Sequence, residues 1–143
     1  MTSLQKTAAM LVAEARAKIT EITTEELLSR LDDPRLCIID IRDIRERQKS
    51  GAIPNSFHAP RGMIEFWVDP DSPYFKPVFG QIDTDYVFHC ASGWRSALTV
   101  ATLQDMGFTA SHLKEGFNDW VAQGGPVDQI ETAARPTTPK ETS

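Results

Sequence analysis

The sequence predicts an α/β fold with a central, mostly parallel sheet flanked by helices. Three observations carry this. Strand-like apolar runs alternate with helix-like amphipathic runs along the chain. Leu36-Cys37-Ile38-Ile39-Asp40-Ile41 is nearly continuously apolar, as a parallel strand covered on both faces must be. Asp85 to His89 then leads through a short loop straight into an amphipathic stretch, which is how such sheets pass from strand to helix.

At 143 residues, 41% apolar and 24% charged, the chain suits one domain with a core of its own. A net charge of −5 gives no electrostatic case for nucleic acid or an anionic membrane as a partner. Two cysteines make no disulfide framework, and the three histidines are scattered without zinc-ligand spacing, so neither metal nor cofactor is expected. Near the N-terminus, Ala8 to Ala13 is a short apolar stretch interrupted by Glu14 and Arg16. A secretory core needs roughly 7–15 apolar residues and a membrane span about 20, so a cytoplasmic protein is expected.

Residues 4–18 carry Leu4, Ala8, Leu11, Val12 and Ala15 at helical spacing and predict an amphipathic N-terminal helix. Ile19 to Ile22 alternates as a short strand. Thr23 followed by Glu26 is a capping box that starts a helix ending near Leu31, where Asp32-Asp33-Pro34 stops it. After the strand Leu36–Ile41, Asp40 and Arg42 read as structural support. Asp40 accepts backbone N–H bonds, and Arg42 pairs with a carboxylate such as Glu46. Ile44 to Ser50 is a short charged helix closed by Gly51, and Ser56-Phe57-His58 a small strand.

Residues 60–83 are broken by Pro70, Pro73 and Pro77 after a possible helical turn, Arg61 to Trp67. Their aromatics, Phe66, Trp67, Tyr74 and Phe75, either fold onto the core or wall a pocket. Arg61 either attracts an anion or is simply solvated. Ser96 to Met106 is a helix ended by Gly107. Ser111-His112-Leu113 is the last strand, and Phe117 to Gln123 the last helix, stopped by Gly124-Gly125-Pro126. Thr, Pro, Lys and Glu dominate from Glu131 on, which predicts a disordered tail. The division expected is an N-terminal helix over 1–18, a domain over 19–128 and a tail over 129–143.

The chemistry concentrates in Cys90-Ala91-Ser92-Gly93-Trp94-Arg95-Ser96. A loop between a strand end and a helix start gathers backbone N–H groups at the positive end of the helix dipole, where a thiolate is stabilised. Cys90 is therefore the candidate nucleophile. Arg95 orients an anionic reactant, Ser96 caps the helix and reaches the sulfur, and Trp94 lines the mouth. His89 and His112, at strand ends, are candidates for acid–base help, and Cys37 reads as a small buried hydrophobe.

This loop resembles the active-site loop of a single-domain rhodanese, a sulfurtransferase module. Ile38-Ile39-Asp40-Ile41-Arg42, Glu46 and Gly51-Ala52-Ile53-Pro54 are similar to the first half of that family. Met106-Gly107-Phe108, Leu113 to Phe117 and Trp120…Gly124-Gly125-Pro126-Val127 are similar to the second. The resemblance runs over residues 19–128. It implies a three-layer rhodanese-like fold. It also implies transfer of sulfane sulfur from a small donor such as thiosulfate to cyanide, a thiol or an acceptor protein, through a Cys90 persulfide. The amides of Ala91, Ser92, Gly93, Trp94 and Ser96 would cradle the transferred sulfur. Two positions depart from the family: Ala52 stands where a histidine is usual, and Ala91 and Ser92 replace the basic residues of thiosulfate-preferring members. The alternatives are a non-catalytic sulfur-relay or protein-binding module, and a cysteine phosphatase. Phosphatases place five residues between cysteine and arginine, and this loop has four.

Overall fold

The computed structural model describes residues 3–130. Five parallel strands, β1 (Thr20–Ile22), β2 (Leu36–Asp40), β3 (Phe57–His58), β4 (Asp85–His89) and β5 (Ser111–Leu113), form one sheet in the order β1-β5-β4-β2-β3. The helices are α1 (Ala8–Lys18), α2 (Thr24–Leu28), α3 (Ile44–Ser50), α4 (Ile64–Trp67), α5 (Trp94–Asp105) and α6 (Gly116–Ala122). The α/β reading of the sequence holds in this parallel sheet.

Strand alternation divides the core into two layers, because successive side chains leave opposite faces. Ile39 and Phe88 point toward Val100 and Leu103 of α5 and Ile64 of α4. Ile38 and Val87 point the other way, toward Leu27 of α2 and Phe117 and Trp120 of α6. Helix α1 adds to the first layer. Its Val12 and Ala15 lie against Ala97 and Ala101 of α5, small side chains that let the two helices approach closely.

The capping box at Thr23–Glu26 forms as expected, with Glu26 N donating to Thr23 Oγ1 and Thr23 N to the Glu26 carboxylate. Several boundaries differ from the sequence expectation. Helix α1 begins at Ala8, not residue 4, because Thr7 supplies its N-cap, and Leu4 is left 77% exposed. Helix α2 ends at Leu28 in a turn rather than near Leu31, and β2 ends at Asp40, whose side chain is bonded into the core. Helix α5 starts two residues earlier than Ser96, and α6 starts at Gly116.

The aromatic segment splits between its two readings. Trp67 and Phe75 pack onto the core, whereas Phe66 and Tyr74 are exposed and stack edge-on against each other with ring centroids 6.2 Å apart. Asp128 pairs with Ala52 through two backbone hydrogen bonds. The tail expected from residue 129 lies, from residue 131, outside the described residues. No helix among the described residues is long and apolar enough to cross a membrane.

Candidate active site

Strand β4 delivers Cys90 to the point where the chain turns into α5. Gly93 occupies the N-cap position of α5 and has no side chain to accept the orphan amides of the first turn. Cys90 Sγ takes that role. It accepts the N–H of Ser96, the third residue of the helix, at 3.4 Å, which is the bond an N-cap serine or aspartate would accept, and the N–H of Gly93 at 3.2 Å. The sulfur is thus the cap of α5, at the positive end of its dipole. The expectation that Ser96 caps the helix is corrected: Ser96 is the donor and the sulfur is the cap.

Two glycines make the turn possible. Gly93 has φ of 94°, a left-handed conformation, and a Cβ there would strike the Lys114 carbonyl and lie 2.9 Å from Arg16 Nη2. Gly116, at φ 77°, lets α6 press against the back of the loop, where a Cβ would strike the Ala91 carbonyl. The first amides of α6 then bond the loop carbonyls, Phe117 N to Cys90 O at 2.9 Å and Asn118 N to Ala91 O at 3.0 Å. Replacing Gly93 with alanine combines left-handed strain with a backbone collision. It is expected to cost about 2–3 kcal/mol of stability, read by urea unfolding with an unchanged slope.

The predicted residues come together unequally. Cys90 is buried, 1% exposed, so a reactant must be slender at its reacting end. Ala91 and Ser92 form the outer rim of the loop, and Trp94 is 48% exposed on the first turn of α5. Arg95 lies beside the loop with its fork held by Glu46, Nη1 to Oε1 at 2.8 Å and Nη2 to Oε2 at 3.0 Å. The hydrogen bonds from Arg95 hold the Glu46 carboxyl below its ordinary value. Arg42, expected to pair with Glu46, instead pairs with Asp40, because its short reach back along the chain meets the carboxylate at the end of β2. Arg61 borders a cavity of about 320 Å³ between α1 and α5 that does not include Cys90.

Beneath the loop lies a buried charged cluster. The Asp40 carboxylate accepts from Arg42 Nε and Nη2, from the Arg42 backbone N–H and from Arg47 Nη1, all within 3.2 Å. Arg42 also donates to Gly51 O and lies 4.1 Å over the Phe117 ring, tying α3 and α6 to β2. Burial alone would raise the Asp40 carboxyl. The positive surroundings, His89 when protonated and Arg42 with its hydrogen bonds, outweigh burial and bring the pKa to about 2. His89 sits 3.7 Å from Asp40 and donates from Nδ1 to the Cys90 carbonyl, so its ring serves the backbone and not the sulfur. Burial pushes its imidazole down, with the Asp40 carboxylate opposing that shift.

The second strand-end histidine is placed differently. Ser96 Oγ lies 3.5 Å from Cys90 Sγ and 2.8 Å from His112 Nδ1, and His112 Nε2 lies 2.9 Å from a Glu21 carboxylate oxygen. Arg16 Nη1 holds the same carboxylate at 3.1 Å, while its Nη2 donates to Lys114 O. Of these groups, Cys90, Ser96 and His112 stand out in the sequence, but their connection does not. Glu21 and Arg16 carry no signal there of a place in the site, nor does Glu46 as the partner of Arg95. Glu46 could have been found from its place in the resemblance; the pairings of Glu46 with Arg95 and of Glu21 with His112 span 49 and 91 residues and leave no local pattern.

The rhodanese-like domain family model matches residues 23–123, most of the described chain. The chain belongs to the rhodanese-like domain family. Among relatives of this rhodanese-like domain, it is 30% identical to a putative sulfurtransferase, YtwF, of Bacillus subtilis over 76% of this chain and 97% of the relative. It is 35% identical to the dual specificity phosphatase Cdc25 of Arabidopsis thaliana over 81% and 82%. Among solved structures, a Rhodopseudomonas palustris protein of unknown function, described as a possible tyrosine phosphatase, superposes with a TM-score of 0.85 at 40% identity, over 90% of this chain and 98% of that one.

Proposed function

We propose that this rhodanese-like domain is a sulfurtransferase that carries sulfane sulfur on Cys90. The observation that supports it most is the sulfur's position as the N-cap of α5, where backbone N–H groups of Gly93 and Ser96 already donate to it. Such a site favours an anion on sulfur before and after the transfer. The Cys90 thiolate attacks the outer sulfur of a donor such as thiosulfate, a new S–S bond forms, the donor's own S–S bond breaks, and sulfite leaves with the electron pair. The terminal persulfide anion is then cradled by the amides of Ala91, Ser92, Gly93, Trp94, Arg95 and Ser96. A cyanide ion or a thiolate, free or on an acceptor protein, attacks that terminal sulfur and releases Cys90 as thiolate.

Arg95, braced by Glu46, supplies positive charge to the approaching donor, and Trp94 offers an apolar lip at the mouth. Asp40 and Arg42 hold the floor of the loop. A free reactive thiol with one other, half-buried cysteine suits a reducing compartment, the cytoplasm.

Two relatives bear phosphatase names, and two features weigh against that chemistry here. The loop has four residues between Cys90 and Arg95, one fewer than the phosphate-binding cradle of cysteine phosphatases. Both outer nitrogens of the Arg95 fork are engaged by Glu46, whereas a phosphate would need that fork bidentately. Side-by-side turnover separates the readings. With a sulfane donor and cyanide, thiocyanate is expected with parallel double-reciprocal lines, and p-nitrophenyl phosphate turnover is expected no faster than in Cys90→Ser. Phosphate release that depends on Cys90, without thiocyanate, contradicts the proposal.

A further inference from the structure

The proposed chemistry needs Cys90 as a thiolate, yet Cys90 is 1% exposed and the immediate loop offers no base. Arg95, the charged group nearest the sulfur from α5, is a cation paired with Glu46 of α3 and takes no proton. His89, preceding Cys90 on β4, faces Asp40 and the Cys90 carbonyl. From α6, only backbone N–H groups reach the loop, and Asp119 is turned to Thr24 Oγ1.

One line of groups does lead away from the sulfur. Cys90 Sγ, Ser96 Oγ, His112 Nδ1, His112 Nε2, Glu21 Oε2 and Arg16 Nη1 follow one another at 3.5, 2.8, 2.9 and 3.1 Å, the two ring nitrogens belonging to one imidazole. Glu21, a carboxylate, can only accept, which assigns the neutral ring's proton to Nε2 and leaves Nδ1 to accept from the Ser96 hydroxyl. Ser96, with its hydrogen pointed at His112, presents a lone pair to the thiol hydrogen. From the thiol to Glu21 every donor points away from the sulfur, and Arg16 donates to the same carboxylate from the far side. Ser96 and His112 are fully buried, so water does not compete for these bonds.

We propose that His112 takes the Cys90 thiol proton through the Ser96 hydroxyl, with Glu21 and Arg16 holding the imidazole in place. This deepens the proposed function, since it rests on Cys90 acting as a thiolate. As the S–H bond breaks, its proton passes to Ser96 Oγ while the serine proton passes to His112 Nδ1. The electron pair stays on sulfur, and nothing is oxidised or reduced. The imidazolium is balanced by Glu21. Burial lowers the His112 imidazole, with Glu21 opposing and Arg16 assisting that shift, so the ring starts neutral and able to accept. His112 and Ser96 are positioning and proton-holding residues; Cys90 alone bonds to the transferred sulfur.

The line has an unexpected root. Glu21 and Arg16 both precede the family-matched residues 23–123, and Arg16 belongs to α1. Arg16 reaches under the active loop, with Nη2 on Lys114 O and beside Gly93. The N-terminal helix therefore belongs to the site as well as to the packing.

The test is the pH dependence of iodoacetamide alkylation, followed at peptide level so that Cys90 is read apart from Cys37. Alkylation reports the thiolate whether or not the protein transfers sulfur, so failure of this proposal and failure of the sulfurtransferase reading are distinguishable. In Ser96→Ala and in His112→Asn, which keeps a hydrogen-bonding group but no base, the midpoint is expected to rise by about one pH unit. Alkylation at pH 7 then slows about tenfold. Glu21→Gln is expected to shift the midpoint in the same direction by less. Profiles for Ser96→Ala and His112→Asn that superimpose on wild type overturn the proposal. If His112→Asn does not fold, ring nitrogen NMR of the unmodified protein decides. His112 is expected to carry its proton on Nε2 while Cys90 is a thiol and protons on both nitrogens once the thiolate forms. An imidazole that stays neutral through that ionisation overturns the proposal.

Discussion

Cys90→Ser is expected to abolish sulfur transfer, lowering the rate by about a thousandfold or more while leaving the fold intact. The serine hydroxyl is smaller than the thiol, but serine is a preferred helix-capping residue and its oxygen accepts N–H bonds of the kind that Gly93 and Ser96 donate here, so α5 keeps a cap. What is lost is the nucleophile. A serine hydroxyl is far less acidic than a thiol, and an oxygen–sulfur adduct would not serve as a persulfide carrier. Far-UV circular dichroism and thermal unfolding close to wild type, together with absent thiocyanate formation, are the expected pair of results. Substantial transfer in the serine variant would place the sulfur elsewhere.

Asp40→Asn is expected to be the most destabilising of the conservative changes near the site, at about 3–5 kcal/mol, read by denaturant unfolding. Arg42 and Arg47 are both buried against this carboxylate, and the neutral amide leaves two guanidinium charges in the core with only Gly51 O, Ser56 Oγ and the amide oxygen to accept from them. The same residue shapes acid stability. Its folded pKa of about 2 lies below the unfolded value of about 3.9, so the stabilisation is complete above pH 4 and is lost as pH falls toward 2. Over that window the wild type should lose about 2–3 kcal/mol through this group, and the asparagine variant should lack that part of the slope.

The sheet was legible because its central strands are apolar for physical reasons that show in one dimension. Leu36–Asp40 and Asp85–His89 are covered on both faces and need no polar alternation. The capping box at Thr23 and the closure of α3 by Gly51 were equally local. The start of α5 was not, because the rule that serine caps helices was defeated by a cysteine six residues upstream folding back to take that position. Helix α1 was readable as a helix, but nothing in residues 8–18 signals that Arg16 reaches Glu21 and the loop. Within the site, Cys90 and Arg95 follow from loop spacing. The Glu46 clamp, 49 residues from Arg95 in sequence, and the line from Ser96 to Glu21 exist only once β1, β5 and α5 are side by side.

The central claim, that Cys90 carries sulfane sulfur, is tested most directly by intact-mass spectrometry of the full chain before and after exposure to thiosulfate, with Cys90→Ser in parallel. A gain of one sulfur atom on the wild type alone, removed by cyanide or by a thiol, is the expected result. If thiosulfate gives no gain but another sulfane donor does, the carrier stands and the donor changes. No gain with any sulfane donor, or an equal gain on Cys90→Ser, would contradict it.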